Sequence, residues 1–190
     1  MNIKSNKGLS LVEVIATVAI MAIIIIPISL VFTTSYSNFN IESDKAAAQK
    51  AAREVLYGKG FSSYGVMGDL ERSNAGSDKI TIGDIIDASV NSISILDDAG
   101  VKKIYYYNQA TQELKYKNEL TDENYFLNET STNGRAIIVK KFDVKKITRG
   151  TTIDSVILDT DIIRVTVTVE CGRSGNITLE SSYRIPNIEK

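Results

Sequence analysis

The sequence predicts an α+β fold in which one long N-terminal helix is followed by an antiparallel β-sheet. An apolar run extends from Leu9 to Phe32 and contains no Lys or Arg. Beyond it, apolar and small residues recur at three- and four-residue steps as far as Val55, which is the helical period. From Val90 onward apolar and polar residues alternate, which is typical of strands with one dry face and one wet face.

The apolar run predicts a membrane-spanning helix. At about 1.5 Å per residue, a helix of this length exceeds the roughly 30 Å hydrocarbon core of a bilayer. Lys4 and Lys7 precede the run, and no basic residue follows until Lys45. The positive-inside bias therefore predicts a cytoplasmic N-terminus and an exported C-terminal part.

Glu13 is the one acidic residue inside this run. A carboxylate in lipid costs on the order of 3 kcal/mol, so it normally indicates a function. A cleaved secretory signal and a plain uncleaved anchor both leave Glu13 unexplained. The third alternative, a buried core helix, is disfavoured by the uninterrupted apolar character of the run.

The residues Lys-Gly-Leu-Ser-Leu-Val-Glu-Val, from Lys7 to Val14, resemble the class III signal of type IV pilins and pseudopilins. The resemblance implies that residues 1–8 are a leader peptide, cut by a prepilin peptidase between Gly8 and Leu9. The same enzyme would methylate the new Leu9 amine, and Glu13 would become the fifth mature residue. In that family arrangement Glu13 neutralises the Leu9 amine of a neighbouring subunit and sets the axial register of a filament.

Three features depart from the family pattern. The first mature residue is Leu9, where the family usually has Phe, and Pro27 lies earlier than the proline of many pilins. Pro27 removes one helical hydrogen bond, which predicts a kink. Cys171 is the single cysteine, so the C-terminal disulfide loop of many pilins is absent. The position of Pro27, the missing disulfide loop and the fairly large exported domain favour a minor subunit.

The predicted organisation is a transmembrane and assembly helix over 9–33 and an exported pilin-like domain over 34–190. Within that domain we expect an amphipathic helix over 34–57, a variable loop over 58–89 with a short helix from Ile82 to Ala88, and an antiparallel sheet over 90–186. Gly58 and Gly60 are expected to end the helix. The helix face predicted to contact the sheet comprises Phe32, Tyr36, Phe39, Ala46, Ala47, Lys50, Ala51 and Val55, with Asp44 among the polar residues between them.

The clearest strand pattern lies near the C-terminus, where four apolar side chains alternate with polar ones: Ile163, Val165, Val167 and Val169. Residues 172–175 predict a turn and residues 177–183 a returning strand. A hairpin is expected around 108–112. Tyr105 and Tyr107 are expected to share one face of their strand. A binding or subunit contact and the ordinary preference of tyrosine for strands explain them equally well.

The search for catalytic or ligand-binding chemistry is mostly negative. The chain has no His, no phosphate-binding glycine loop and a formal net charge of −1. The acid pairs Asp97-Asp98 and Asp159-Thr160-Asp161 are typical of turns, and a Ca²⁺ site is the less favoured interpretation. A local basic cluster is predicted to be a solvated strand and turn, with weakly supported contact to nucleic acid as the alternative: Lys140, Lys141, Lys145, Lys146 and Arg149.

We therefore expect a structural, non-enzymatic subunit, without cofactor or metal, of a type IV pilus or pseudopilus. Its expected partners are the prepilin peptidase, other pilin subunits and the membrane assembly machinery. It would begin as a single-pass membrane protein and end in an extracellular fibre. Two alternatives stay open: a signal-anchored extracellular binding module that never polymerises, and a membrane-tethered enzyme that uses carboxylates.

Overall fold

A computed structural model describes residues 10–58, 65–73, 76, 78–83, 90–126, 134–153 and 156–186. The chain divides into two compact units, one ending at Asn40 and one beginning at Ile41. We call the second unit the sheet domain. Helix α1, Leu11–Tyr57, contributes residues to both units.

From Leu11 to Phe32 the surface of α1 is largely apolar and is exposed on all sides. Ile23 is 71% exposed and Phe32 is 72% exposed. Pro27 lies inside the helix. Tyr36 and Phe39, which were expected to belong to a sheet-contacting stripe, are also exposed. Such a surface is not stable in water over this length, and it suits a hydrocarbon environment.

The part of α1 in the sheet domain buries one narrow face made of Asp44, Ala48, Ala51, Ala52, Val55 and Leu56. The predicted stripe was correct for Ala51 and Val55 and wrong for Ala46 and Lys50, which are exposed. Asp44 was expected to face solvent, yet it is completely buried. Small side chains along this face allow the helix backbone to approach the strands closely.

The segment predicted as a variable loop contains regular structure. Helix α2, Val66–Arg72, and strand β1, Ile80–Ile82, both lie within it. Helix α1 ends as expected at Gly58, which has φ +89° and donates its N–H to the Glu54 carbonyl at 2.8 Å. Ile82 belongs to β1 and Gly83 has φ +110°, so neither residue is helical. Gly60 and residues 84–88 of the predicted short helix lie outside the described residues.

The strands that follow are β2 (Val90–Leu96), β3 (Lys102–Asn108), β4 (Glu113–Asn118), β5 (Thr121–Tyr125), β6 (Ile137–Ile147), β7 (Thr152–Ile153), β8 (Val156–Ile157), β9 (Ile162–Cys171) and β10 (Asn176–Arg184). An antiparallel sheet was predicted over 90–186, and in the described part of the chain the strands are antiparallel but divide into three sheets. Their orders are β1-β2-β3-β4-β5, β10-β9-β6 and β7-β8.

The predicted alternation of the last strands is confirmed. All four side chains of the apolar row on β9, from Ile163 to Val169, are fully buried, and β10 pairs with β9 along its whole length. The hairpin between β3 and β4 is also confirmed. Tyr105 and Tyr107 do share a face, and that face is the core, which favours ordinary strand packing over a binding or subunit contact.

Candidate functional site

The start of α1 is held by two reciprocal hydrogen bonds between Ser10 and Glu13. The Ser10 N–H donates to the Glu13 carboxylate at 2.9 Å, and the Glu13 N–H donates to the Ser10 hydroxyl at 3.2 Å. This is a capping box, in which residues three apart satisfy each other's unpaired backbone donors. Because no water is available in hydrocarbon to satisfy such donors, the pair supports a helix that begins within or beside a membrane.

The capping box gives Glu13 a local role that the sequence interpretation missed. The signal was present as Ser10-Leu11-Val12-Glu13, the Ser-x-x-Glu pattern in front of an apolar run. Glu13 was assigned only to a neighbouring subunit's amine. Its carboxylate is exposed and already accepts one backbone N–H, so it can take a second donor without losing the first.

Within the described part of the chain, α1 alone is long and apolar enough to span a membrane. Its most apolar stretch has a mean hydropathy of 2.9, and none of that stretch is buried. Gly8 and Leu9, the predicted cleavage and methylation positions, lie outside the described residues. The kink predicted at Pro27 stays a prediction.

Comparison with known families addresses the same N-terminal region. Residues 3–29 match the family model described as the prokaryotic N-terminal methylation motif. The chain carries a prepilin-type methylation signal. The methylation motif contains Gly8, Leu9, Glu13 and Pro27, and it is consistent with a type IV pilin-like substrate of a prepilin peptidase. No curated protein and no solved structure matches the chain.

The methylation motif and the exposed apolar helix together indicate a membrane-anchored single-pass protein. The motif also implies processing by a prepilin peptidase and assembly at the membrane. The long helix followed by antiparallel sheets is the α+β layout of pilins, as expected from the sequence.

A second cluster surrounds the buried carboxylate of Asp44. Arg135, next to β6, forms an ion pair with it, and the Arg173 N–H in the β9–β10 turn donates to it at 3.0 Å. Gly172, in the same turn, has φ +51°, and a Cβ there would overlap both the Arg135 side chain and the Asp44 carboxylate. The cluster therefore fixes α1 to the sheet β10-β9-β6 from within the sheet domain.

A third cluster joins α2 to β3 through Asp69. Its carboxylate is 2% exposed, accepts from the Lys103 amine at 2.9 Å and accepts from the Tyr105 hydroxyl. Burial raises the pKa of the Asp69 carboxyl, although the hydrogen bonds from Tyr105 and Lys103 oppose that shift. Burial and the adjacent carboxylate raise the pKa of Tyr105 well above its usual value, so the phenol remains a donor.

The four lysines of the predicted basic cluster are paired with acids. Asp143 contacts the amines of Lys141 and Lys145 at 3.6 and 3.2 Å. Lys140 contacts Glu170 at 2.9 Å, and Lys146 contacts Asp161 at 2.9 Å. The geometry therefore supports the interpretation as a solvated strand surface.

The acidic pairs act as acceptors at turns and strand ends. Asp97 accepts the Ala99 and Val101 N–H groups through one oxygen, at 3.0 and 2.9 Å. Asp161 accepts the Arg149 N–H at 2.8 Å. No group of three or more metal-ligating side chains occurs among the residues that the structure describes.

Proposed function

We propose that this protein is a minor structural subunit of a type IV pilus or pseudopilus. A prepilin peptidase cuts it between Gly8 and Leu9 and methylates Leu9, and the α1 segment up to Asn40 then joins a helical fibre. The N-terminus starts in the cytoplasm and the sheet domain is exported. Its work is architectural, and it turns over no substrate.

The single observation that carries this proposal is an acid inside a membrane-spanning helix that also carries the methylation motif. Cleavage after Gly8 creates an ammonium group four residues before Glu13. Two opposite charges near hydrocarbon lower each other's desolvation cost when they meet. Glu13 is exposed in the first turn of α1, where it is available to the amine of a second subunit.

Analysis of the N-terminus of protein taken from its native membrane tests the proposal directly. We expect a chain that begins with N-methylated Leu9. A bulky residue in place of Gly8 should leave the uncut precursor on a gel. An assembled protein that still begins at Met1 would overturn the proposal in favour of a tethered module that does not polymerise.

Three variants separate the two roles of Glu13. Glu13→Gln keeps an acceptor for the Ser10 N–H but has no charge, and Glu13→Leu lacks both. Both should be cleaved and inserted yet be lost from the sheared fibre fraction. Ser10→Ala is the matched control, because it removes one capping hydrogen bond and keeps the charge, and it should still enter fibres. Normal incorporation of Glu13→Gln would refute the register role.

A further inference from the structure

The Asp69 cluster brings together an amine, a carboxyl group, a hydroxyl donor and a second carboxylate, which can act together in the condensation of an amine with an acid. The Lys103 amine lies 2.9 Å from one oxygen of the Asp69 carboxyl, and the Tyr105 hydroxyl donates to the other oxygen. The second oxygen of Asp97 lies 3.9 Å from the same amine. We propose that Lys103 and Asp69 form an intramolecular isopeptide bond that joins α2 to β3 after folding.

Burial separates this pair from ordinary surface ion pairs. The Asp69 side chain is 1% exposed and that of Lys103 is 15% exposed. Tyr105 lies in contact with two further rings, those of Tyr116 and Phe126, at centroid distances of 5.1 and 5.6 Å. An apolar, water-poor site favours a condensation that releases water, and the 2.9 Å contact keeps the amine next to the carboxyl group that it would attack.

The reaction proceeds through a neutral form of the ion pair. Burial lowers the pKa of the Lys103 amine while the hydrogen bond and charge of Asp69 raise it, and the balance leaves it above its usual value. The resting state is therefore the ion pair. Since burial disfavours both charges, transfer of one proton along the 2.9 Å contact gives the free amine and the protonated acid.

The step then balances without any further reactant. The Lys103 nitrogen attacks the carboxyl carbon of Asp69, and the Tyr105 hydroxyl stabilises the negative charge that develops on Oδ2. Asp97 accepts one proton from the nitrogen and returns it to Oδ1. The bond from carbon to Oδ1 breaks, water leaves, and Oδ2 becomes the carbonyl of the new amide.

Asp97 is well placed for this proton transfer. Its Oδ1 is held by the N–H groups of Ala99 and Val101, which leaves Oδ2 directed towards Lys103. The link would close a loop between residues 34 positions apart in a chain whose single cysteine precludes an internal disulfide. It would secure α2 to the five-stranded sheet against mechanical or thermal opening.

Mass analysis of the full-length protein, purified in detergent, tests the bond. We expect a mass lower by one water than the sequence and its N-terminal processing require. We also expect a tryptic product that joins residues 60–72 to residues 103–115. An unlinked chain with the full mass, in freshly folded and in aged samples, would overturn the proposal and leave an ordinary buried ion pair.

Variants assign the roles and supply a matched control. Lys103→Arg keeps the positive charge without a nucleophilic amine, so the full mass should return. Asp97→Asn should slow or abolish the loss of water while Asp69 and Lys103 are intact; an unchanged rate would refute its role. The exposed pair Lys79–Asp98, with a shorter contact of 2.7 Å, should give no linked peptide. A link there would mean that proximity alone suffices and that burial is irrelevant.

Discussion

Loss of either side chain of the ion pair between Asp44 and Arg135 should destabilise the sheet domain, but by different amounts. Asp44 is completely buried, whereas the Arg135 side chain is 34% exposed. Arg135→Ala leaves a buried carboxylate without its cation, but Asp44→Asn leaves a guanidinium that can turn towards water. Replacing Arg135 should therefore lower the free energy of unfolding more than replacing Asp44.

The magnitude follows from burial. Removing one partner of a fully buried pair costs about 3–5 kcal/mol, and we expect about 3 kcal/mol for Arg135→Ala because the carboxylate is the buried member. Asp44→Asn keeps an acceptor for the Arg173 N–H, so its cost should be about 2 kcal/mol. The double variant should lose about 1–3 kcal/mol less stability than the two single losses added together.

Urea unfolding of the detergent-solubilised chain, followed by near-UV circular dichroism, measures these differences. The signal comes from tyrosines, because the chain has no Trp and nine Tyr, several of them buried in the sheet domain. Lys45→Ala is the control, since its ion pair with Glu42 is exposed and should change nothing measurable. If the free energy of unfolding of Arg135→Ala lies within about 0.5 kcal/mol of the wild-type value, the reasoning is refuted.

Three further predictions concern packing and pH. Gly172→Ala should destabilise the sheet domain by about 2–4 kcal/mol in the same assay, because a Cβ there overlaps the buried ion pair and φ is positive. Gly175→Ala is the control: its φ is +67° but its Cβ would meet open space, so it should cost about 1 kcal/mol. Equal losses for the two variants would contradict the argument from overlap. Phe142→Ala should cost about 3–5 kcal/mol, since the ring is fully buried, and a smaller loss would mean that the core refills the space. The Arg149 N–H and the Lys146 amine lower the pKa of Asp161, so its stabilisation is present above the usual value of 3.8 and is lost as the pH falls through the lower folded value. Asp161→Asn should therefore flatten the acid side of a stability profile, and an unchanged profile would exclude that linkage.

The parts of the fold that were predictable have strong local contrast. The row from Ile163 to Val169 alternates cleanly with polar residues, so its period of two and its buried face were evident. The apolar run with Glu13 was equally distinct. In both cases the local pattern alone decides the structure, because lipid or a half-buried sheet surface imposes it.

The buried face of α1 was harder to predict for a physical reason. Alanines occupy 46–48, 51 and 52, so hydrophobicity hardly varies around the helix and does not determine its rotation. Tertiary contacts set the rotation of the helix about its axis. One of them is the ion pair between Asp44 and Arg135, which are 91 positions apart in sequence. A polar residue whose partner is so distant has no local signal of burial.

The same limit applies to the Asp69 cluster and to the segment around it. Helix α2 has only seven residues, and glycines surround it, so the composition suggested a loop. Its stability comes from burial of residues such as Val66, Met67 and Leu70 and not from intrinsic propensity. Gly65 is needed there because a Cβ would overlap the backbone at the end of α1.

The position of β9 between β6 and β10 has a consequence for folding during synthesis. Strand β9 gains its second neighbour only when residues 176–184 have been synthesised, so a chain interrupted before them presents an unpaired strand edge. The turn at 172–175 keeps that interval short, because closing a hairpin takes about 1–10 μs and needs no distant segment. The short turn thereby limits the time during which two incomplete copies can pair through this edge.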